Sequence, residues 1–556
     1  MEMLTEVSEM SEVDGGSLVA KALKAEGVKY LFVLWGFHIF TIIEACEREG
    51  IKVIDTRHEQ AAGHAAEGWA KVTGQPGVAA VTAGPGVTDV VTAVANAFQA
   101  GSPMLVIGGR SPVNSFEKGT LQELDHLGFM KPITKWARTV FEARRIPEYV
   151  SIAYRHALAG RPGPVFLECP IDVLESQVDE SQVFFPEPAK SRATSKTPGN
   201  PDLIKAAARL LAASRTPVVI AGNTVYWSQA NQELQQFIEA LHAPVFLNGM
   251  GRGCISSDHP QFFVYSRRFA LSQADVAVLM GTEIDFRLNY GAPPLFNPKG
   301  KVIQIDIDPT EIGHNRDIDV GIVGDAREVL QQLLAELDKK RMPRRTAWLE
   351  KVRASEAERL RALDPFLNSN AVPIHPLRLL KDVGDFLDRD AIVVGDGGDI
   401  VSFAAQVLKT HYPGHWLDTG KLGCLGVGTG FAMAAKLARP DKQVLIVYGD
   451  GSFGLNGMEF DTMVRHNIPV VAVIGNNRAW MPITEGDPGL GRHLGWARYD
   501  KVVAALGGHG EFVERPEQIR PALERAFASG LPAAINVMID QTKGYFHVTS
   551  TLGAPK

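Results

Sequence analysis

The sequence predicts an α/β protein made of three doubly wound parallel-sheet domains, and three observations lead to this prediction. Short apolar runs typical of buried strands alternate with helical patterns along most of the chain, as in parallel sheets covered by helices on both faces. The 556 residues exceed what a single hydrophobic core holds. Two stretches have the composition of connections between domains: Pro186–Pro201, rich in Pro, Ser and Lys, and the basic stretch Lys339–Arg345.

The first domain is predicted over residues 15–185. Its predicted helices are Gly16–Glu26, Phe40–Arg48 and Glu59–Thr73, and its predicted strands are Tyr30–Leu34, Lys52–Asp55, Gly77–Val81, Met104–Ile107 and Val165–Leu167. Residues 1–14 are acidic and polar and lack the basic and apolar segments of a signal peptide, so we expect them to form a disordered start.

The second and third domains follow a linker at residues 186–201. The central domain is expected over residues 202–340, with strands at Val218–Ile220, Val276–Met280 and Val302–Ile305. A linker helix is expected over residues 341–372, and the third domain over residues 373–556. The first and third domains are similar in size and pattern, although no residue-level repeat is visible.

Composition argues against several classes of partner. The net charge of −6 gives no reason to expect nucleic acid or an anionic membrane. No run of about eighteen apolar residues indicates a membrane span. The cysteines are far apart, without metal-type spacing, and are expected to be reduced thiols: Cys46, Cys169, Cys254 and Cys424. These features predict a cytoplasmic protein.

The most informative stretch is Val444–Trp480, which carries polar residues after two successive apolar runs and a predicted helix, Met458–His466, between these runs. Asp450 and Asn477 offer oxygen ligands of the kind that Mg²⁺ prefers, and these ends of parallel strands face one crevice. The glycines on either side of Asp450 allow backbone N–H groups to approach an anion. A metal-bridged diphosphate is therefore expected here, the simpler alternative being two tight strand-to-helix turns.

This stretch resembles the GDG…NN motif of thiamine-diphosphate-dependent enzymes, a family that includes the acetolactate synthases. The resemblance implies Asp450, Asn477 and the backbone carbonyl of Ala479 as Mg²⁺ ligands. It also implies that Gly449, Gly451 and Ser452 contact the diphosphate of the cofactor. The third domain would then be the diphosphate-binding domain.

The segment from Asp55 to Gly86 resembles the pyrimidine-binding domain of the same family. The resemblance implies that Glu59 bonds N1′ of the cofactor's aminopyrimidine. Burial would raise the pKa of this carboxyl and let it exchange a proton near neutral pH. Without the resemblance, an acid in the first turn of a helix needs no function, because it complements the helix dipole.

Three further residues gain roles from the resemblance. Leu425, in GCLGVG, matches the bulky apolar residue that holds the cofactor in its V shape. His38 and Gln122 match the active-site histidine and glutamine of benzaldehyde lyases, which handle protons and orient the substrate oxygen. His64 and His126 are expected to be structural.

The resemblance covers nearly the whole chain, and motifs such as TAG and ITKWA look closest to benzaldehyde lyase. It implies a carbon–carbon lyase and carboligase that makes or cleaves 2-hydroxy ketones (acyloins), active as a homodimer or homotetramer with sites at the subunit interface. The alternatives are a 2-hydroxyacyl-CoA lyase, an oxalyl-CoA decarboxylase or an acetolactate synthase-type carboligase. A cofactor-binding protein without catalysis would be expected to lack Glu59 or Asp450.

Two departures from the family pattern concern the substrate pocket. Met481 and Pro482 follow Trp480 where glycine is usual, and Phe37 stands where benzaldehyde lyases have a small residue. With Trp35 and Phe40, these side chains either belong to the core or narrow the pocket. In the second case a small aldehyde or 2-oxo acid fits better than a bulky aryl substrate.

Overall fold

The computed structural model of the protein describes residues 12–338 and 342–545. The strands in this part of the chain are β1 (Glu12–Asp14), β2 (Tyr30–Val33), β3 (Lys52–Asp55), β4 (Gly77–Val81), β5 (Met104–Arg110), β6 (Trp136–Thr139), β7 (Pro164–Pro170), β8 (Gln177–Asp179), β9 (Pro217–Ala221), β10 (Val245–Leu247), β11 (Val276–Met280), β12 (Lys301–Asp306), β13 (Val320–Val323), β14 (Ile392–Asp396), β15 (Trp416–Leu417), β16 (Val444–Gly449), β17 (Val471–Asn476), β18 (His509–Val513) and β19 (Ala533–Met538).

The α-helices of the same ranges are α1 (Gly15–Ala25), α2 (Phe40–Arg48), α3 (Glu59–Thr73), α4 (Pro85–Ala100), α5 (His126–Met130), α6 (Ile146–Leu158), α7 (Ile171–Glu175), α8 (Pro201–Ala213), α9 (Asn223–Trp227), α10 (Asn231–Leu241), α11 (Arg267–Gln273), α12 (Ala326–Leu337), α13 (Thr346–Leu367), α14 (Pro376–Phe386), α15 (Asp399–Val407), α16 (Gly428–Ala438), α17 (Asp450–Asn456), α18 (Glu459–Arg465), α19 (Tyr499–Ala505) and α20 (Ile519–Ala528). None of them is long and apolar enough to cross a membrane.

The strands form three large sheets, and every strand pair in them is parallel. The first sheet has the order β3-β2-β4-β5-β7-β6, the central sheet β10-β9-β11-β12-β13, and the third β15-β14-β16-β17-β19-β18. With the strands of each sheet numbered along the chain, the first and third sheets share the order 2-1-3-4-6-5. The predicted fold class of three parallel-sheet α/β domains is therefore confirmed.

Small side chains let helix α3 lie directly on the first sheet. Five alanines of α3 are fully buried: Ala61, Ala62, Ala65, Ala66 and Ala70. A Cβ atom at Gly77, the first residue of β4, would lie 1.9 Å from the carbonyl oxygen of Ala66. Glycine is required at this position because any side chain would push the helix off the strand. This packing fixes where α3 begins, and Glu59 is its first residue.

By contacts the chain divides into two compact units, the second of which holds two of the three sheets. The first unit runs to Ala70 and from Gln75 to Thr194, and the second comprises Lys71–Gly74 and the chain from Ser195 onward. The second unit holds two sheets because one apolar cluster includes strands of both. Ile303 of β12 and Val394 of β14, for example, are fully buried members of that cluster.

The structure corrects three local predictions. The expected disordered start falls outside the described residues up to position 11, but Glu12–Asp14 form β1, which pairs antiparallel with β8. The single helix expected at Met458–His466 is α18, and a second helix, α17, precedes it. Of the basic stretch Lys339–Arg345, residues 339–341 lie outside the described ranges, whereas Arg345 is only 4% exposed.

Candidate active site

The carboxylate of Asp450 lies at the end of β16, where α17 begins, and is 2% exposed. Burial raises the pKa of Asp450 to about 7, against the opposing effect of nearby backbone N–H groups that include those of Gly451 and Ala479. Its Oδ2 atom has no hydrogen-bond partner among the described residues. A buried carboxylate oxygen without a partner is costly, and a bound cation would satisfy it.

Asn477 and Ala479 lie beside Asp450. Asn477 follows β17, and its Oδ1 atom accepts the backbone N–H of Ala479 at 3.1 Å. Within the described ranges no group of three His, Cys, Asp or Glu side chains is arranged to hold a metal. One carboxylate, one amide oxygen and one backbone carbonyl are nevertheless a suitable donor set for a hard cation that keeps some of its water, such as Mg²⁺.

Every site residue predicted in the second unit lines one cleft, with an empty volume of about 540 Å³. These residues are Leu425, Gly449, Asp450, Gly451, Ser452, Asn477, Ala479, Trp480 and Met481. The hydroxyl of Ser452 donates to the backbone oxygens of Asp396 and Gly449, at 2.7 and 3.0 Å, and so closes the turn before α17.

The ring of Trp480 lies against Gly451. A Cβ atom at Gly451 would be 2.5 Å from Cε3 of Trp480, so only glycine allows this contact. Trp480 is 45% exposed and Met481 is 59% exposed, and both side chains line the cleft. The aromatic ring therefore covers one side of the glycine that the sequence assigned to the diphosphate.

The sequence prediction missed the segment Gly395–Asp399, which begins in the last two residues of β14 and lines the same cleft through Gly397, Gly398 and Asp399. Asp396 is fully buried, and its carboxylate accepts the backbone N–H groups of Gly426 and Gly428 at 3.1 and 2.7 Å. Burial raises the pKa of Asp396 to about 7, although these N–H groups act in the opposite direction. The letters GDGGD after an apolar strand were the available signal.

Glu59 begins α3 in the first unit and is 8% exposed. Burial raises its pKa, the interactions with its own backbone N–H and with His58 lower it, and the negative charge of Asp89 raises it further. A Cβ atom at Gly86 would lie 3.5 Å from Oε1 of Glu59, so the first turn of α4 passes beside the carboxyl. The carboxyl thus sits in surroundings that favour its protonated form.

His38 and Gln122, far apart in sequence, meet at Thr82. Nδ1 of His38 lies 3.2 Å from Oγ1 of Thr82, and this hydroxyl donates to Oε1 of Gln122 at 3.3 Å. His38 is 3% exposed, and burial lowers its pKa, partly offset by a hydrogen bond with Gln122. Gln122 has a φ of +59°, unusual for a residue with a side chain. The two residues thus form one polar cluster.

Phe37 and Trp35 are largely exposed in the first unit, at 55% and 63%. The ring of Phe37 lies 6.0 Å from that of Phe40 and 5.7 Å from that of His38, measured between centroids. These aromatic residues are therefore not part of the core of their unit, which was one of the two expectations. Their contact with a substrate stays a prediction.

The polar cluster around Thr82 and the carboxylates of Asp396 and Asp450 lie at equivalent positions in the first and third sheets. His38 follows β2 and Thr82 follows β4, while Asp396 ends β14 and Asp450 follows β16. β2 and β4 are neighbours in the first sheet, and β14 and β16 are neighbours in the third, in each case where the strand order reverses. Each of the four residues lies at the carboxyl end of its strand. This is where open α/β sheets bind their ligands. The fold thus supplies two crevices, one in each compact unit.

Three family models match the chain in order. They describe the N-terminal TPP binding domain of thiamine pyrophosphate enzymes over residues 13–129, the central domain over 204–333 and the C-terminal TPP binding domain over 396–537. The chain belongs to the thiamine-diphosphate-dependent enzyme family. Thiamine diphosphate is accordingly its cofactor. The unpartnered carboxylate oxygen of Asp450, beside the amide oxygen of Asn477 and the backbone carbonyl of Ala479, would suit a divalent cation such as Mg²⁺.

Curated members of the family are similar over nearly their whole length. The acetolactate synthase large subunit IlvG of Mycobacterium tuberculosis is 41% identical over 554 residues, covering 98% of this chain and 99% of the relative. The 2-hydroxyacyl-CoA lyase 2 of Homo sapiens is 34% identical over 590 residues, covering 97% and 92%. A probable acetolactate synthase large subunit of Methanocaldococcus jannaschii is 35% identical over 549 residues, covering 95% and 92%.

Proposed function

We propose that this family member is a carbon–carbon lyase and carboligase that makes or cleaves 2-hydroxy ketones from small aldehydes. The observation that carries the proposal is the cluster of His38, Thr82 and Gln122, because this histidine and glutamine resemble the active-site pair of benzaldehyde lyases. Bound thiamine diphosphate supplies the nucleophilic carbon and the electron sink that such chemistry needs. The protein supplies binding, orientation and proton transfer.

The second unit would hold the diphosphate end of the cofactor. Asp450 and Asn477, with the carbonyl of Ala479, would bind Mg²⁺, and the buried Oδ2 of Asp450 supports this assignment. Gly449, Gly451 and Ser452 would contact the diphosphate. Leu425, half-buried on the cleft wall, would shape the bound cofactor.

The first unit would control protons. The Glu59 carboxyl, whose pKa is raised by burial, would hold the proton that it shares with N1′ of the aminopyrimidine. His38, whose pKa is lowered by burial, is neutral at pH 7 and can accept a proton from a substrate hydroxyl. Gln122 would orient the substrate oxygen by hydrogen bonding.

Bulky side chains favour small substrates in this proposal. Trp480 and Met481 line the cleft, and Phe37 lies beside His38. Their volume would exclude an aryl group and leave room for an aldehyde of one or two carbons or a short 2-oxo acid. Product analysis with formaldehyde, acetaldehyde, benzaldehyde, pyruvate and an acyl-CoA tests whether small substrates are preferred to aryl ones.

The Glu59→Gln variant tests the mechanism. It should keep the fold and lose about 10²-fold or more in kcat, the usual contribution of acid–base groups. Glu44→Gln is the matched control, because the Glu44 side chain is 64% exposed in the same unit. Near-normal turnover by Glu59→Gln would contradict the mechanism. Failure of the parent protein to form a 2-hydroxy ketone from any of the aldehydes would contradict the proposed substrate class.

Acyl-CoA cleavage is the second candidate, and a basic cleft in the second unit favours it. Arg252, Arg267 and Arg287 line this cleft, which has an empty volume of about 940 Å³. Burial lowers the pKa of Arg252 and Arg267, whereas Arg287 is paired with Asp285. Buried guanidinium groups are suited to phosphates such as those of coenzyme A. Cleavage of a 2-hydroxyacyl-CoA that is lost in Arg252→Met and Arg267→Met would favour this candidate.

We also propose a cytoplasmic homodimer or homotetramer with active sites at the subunit interface. Large apolar side chains exposed in the first unit, Trp35, Phe37 and Leu121, support an interface there. Sedimentation velocity over a concentration series tests the assembly, and a monomer at micromolar concentration with full activity would contradict it.

A further inference from the structure

Both ring nitrogens of His126 have partners, although the side chain is almost fully buried at 1% exposure. Its Nε2 atom accepts the backbone N–H of Gly84 at 2.9 Å. Its Nδ1 atom lies 2.9 Å from Oε1 of Glu168. His126 therefore links a carboxylate on β7 to the turn that precedes α4.

The partners determine where the proton of His126 lies. Because a backbone N–H can only donate, Nε2 must offer its lone pair, and the proton is on Nδ1. Nδ1–H then donates to Glu168, whose other oxygen is held by the hydroxyl of Thr139 and by Arg110, the latter at 3.3 Å. A carboxylate fixed on both oxygens orients the imidazole and selects the neutral Nδ1–H form.

The turn held by His126 passes between the proposed catalytic residues. Gly84 has a φ of +58° and is the N-cap residue of α4, which no side-chain capping hydrogen bond to the helix stabilises. On one side of it, Thr82 contacts both His38 and Gln122. On the other side, Gly86 lies beside the carboxyl of Glu59. A displacement of Gly84 would therefore move the contacts of all three residues.

We propose that His126 is a positioning residue whose Nδ1–H form, selected by Glu168, holds the turn from Thr82 to Gly86 and thereby places Glu59, His38 and Gln122 for catalysis. This inference rests on the proposed function, in which those three residues act on the cofactor and substrate. It replaces the expectation that His126 is only structural. His126 itself touches neither reactant.

Two variants of His126 separate positioning from simple packing. His126→Gln keeps an oxygen that can accept from Gly84 and an N–H that can donate to Glu168. His126→Phe fills the space but leaves the N–H of Gly84 without an acceptor. We expect kcat to fall about 10- to 100-fold in His126→Phe, as for a buried donor left unsatisfied, and to recover to within a few-fold of the parent in His126→Gln. The KM for the aldehyde should change less than kcat.

His259→Phe is a matched control. The Nδ1 atom of His259 also accepts a backbone N–H, from Gln261 at 3.2 Å, and its Nε2 lies 3.1 Å from Glu239. It lines neither the cleft around Asp450 nor the basic cleft of Arg252 and Arg267. This variant should lower the melting temperature and leave kcat unchanged. Equal kcat in His126→Phe and the parent, or equal losses in both His126 variants, would overturn the positioning role.

A second measurement does not depend on activity. In the cofactor-free protein, the amide of Gly84 should exchange its hydrogen faster in His126→Phe than in the parent and at the parent rate in His126→Gln, by mass spectrometry of the peptide that spans the turn. If no aldehyde reacts in the parent but this exchange pattern appears, the proposed function fails and the control of the turn stands. Unchanged exchange in His126→Phe would overturn the inference even in an active enzyme.

Discussion

The carboxylate of Asp396 accepts the backbone N–H of Gly428 at 2.7 Å, the first residue of α16. Its other oxygen accepts the N–H of Gly426, so a single buried carboxylate fixes two of the three residues that follow Leu425. The place of Leu425 on the cleft wall therefore depends on this loop.

Replacing Asp396 by Asn should loosen the loop, because one of the two N–H groups then faces an amide N–H₂ instead of an oxygen. Losing a charge-assisted hydrogen bond costs about 1.5–3 kcal/mol, or roughly 10- to 100-fold in affinity for thiamine diphosphate. Titration of the cofactor into the apo-protein measures the change. Asp461→Asn is the control, since Asp461 pairs with Arg465 on α18, and unchanged cofactor affinity in Asp396→Asn would contradict the anchoring role.

Burial of Glu59 should make the apo-protein less stable as the pH rises. The pKa of Glu59 is raised in the folded state, so the penalty is absent below the unfolded pKa of about 4.5 and grows as the pH rises through the folded pKa. Glu59→Gln removes this penalty and should be more stable than the parent at neutral pH, by chemical denaturation. A stability difference that does not grow with pH would contradict the prediction.

Trp480 should report cofactor binding, since its ring covers Gly451 on one side of the cleft. Adding thiamine diphosphate and Mg²⁺ should change the tryptophan emission of the parent, and chelation of the metal with EDTA should reverse the change. Trp480→Phe is the control for the other seven of the eight tryptophans. A signal of equal size in that variant would show that the ring does not sense the ligand.

The guanidinium of Arg345 should be a major source of stability in the second unit. It donates to the carbonyls of Leu211 and Ser214 at the end of α8 and to that of Leu241 at the end of α10. Arg345→Met leaves these buried carbonyls without donors, at a cost of about 1–3 kcal/mol. Thermal unfolding should show a lower midpoint for Arg345→Met and no shift for the exposed neighbour variant Arg344→Met.

His375 should weaken the fold in acid. Its Nδ1 accepts the N–H of Leu377 at the start of α14, and burial, with the nearby charge of Lys543, lowers its pKa to about 4. The stabilising effect of the neutral ring is complete above pH 6.5 and is lost as the pH falls toward 4, about 3 kcal/mol in all. His375→Asn keeps a capping oxygen and should show a flatter decline in unfolding free energy over this range. An identical decline in both proteins would contradict the prediction.

Hydrophobic periodicity and turn-forming residues predicted most of the fold. The bounds of α2, β3, α3 and β4 agree with the sequence prediction because each is a strong apolar repeat that ends at a turn. The sequence could not show that the central and third sheets share one apolar cluster, since that depends on packing between distant segments. It also assigned Arg345 to a basic connection between domains, because in a sequence a buried arginine that caps two helices looks like any other basic residue.

The residues of the candidate site could be predicted from the sequence where they belong to a recognisable motif. The residues around Asp450 and Asn477 line one cleft, as their positions after neighbouring strands indicated. Asp396 was missed, although GDGGD follows a strand just as GDG does, because its partners lie thirty residues away in a loop without a pattern of its own. His126 was set aside for the same reason: its partner Glu168 is forty-two positions distant.

Because the first and third sheets share one strand order, the chain has the same kind of ligand-binding position twice, at the carboxyl ends of equivalent strands. The position in the first sheet carries an imidazole and a hydroxyl, whereas the position in the third sheet carries two carboxylates. The two positions therefore differ in chemistry but share the order of their strands. Ancestry by duplication would leave this trace even when no residues repeat, because strands need only stay apolar. A variant library confined to the loops after the first and third strands of each outer sheet would explore new chemistry without disturbing either core.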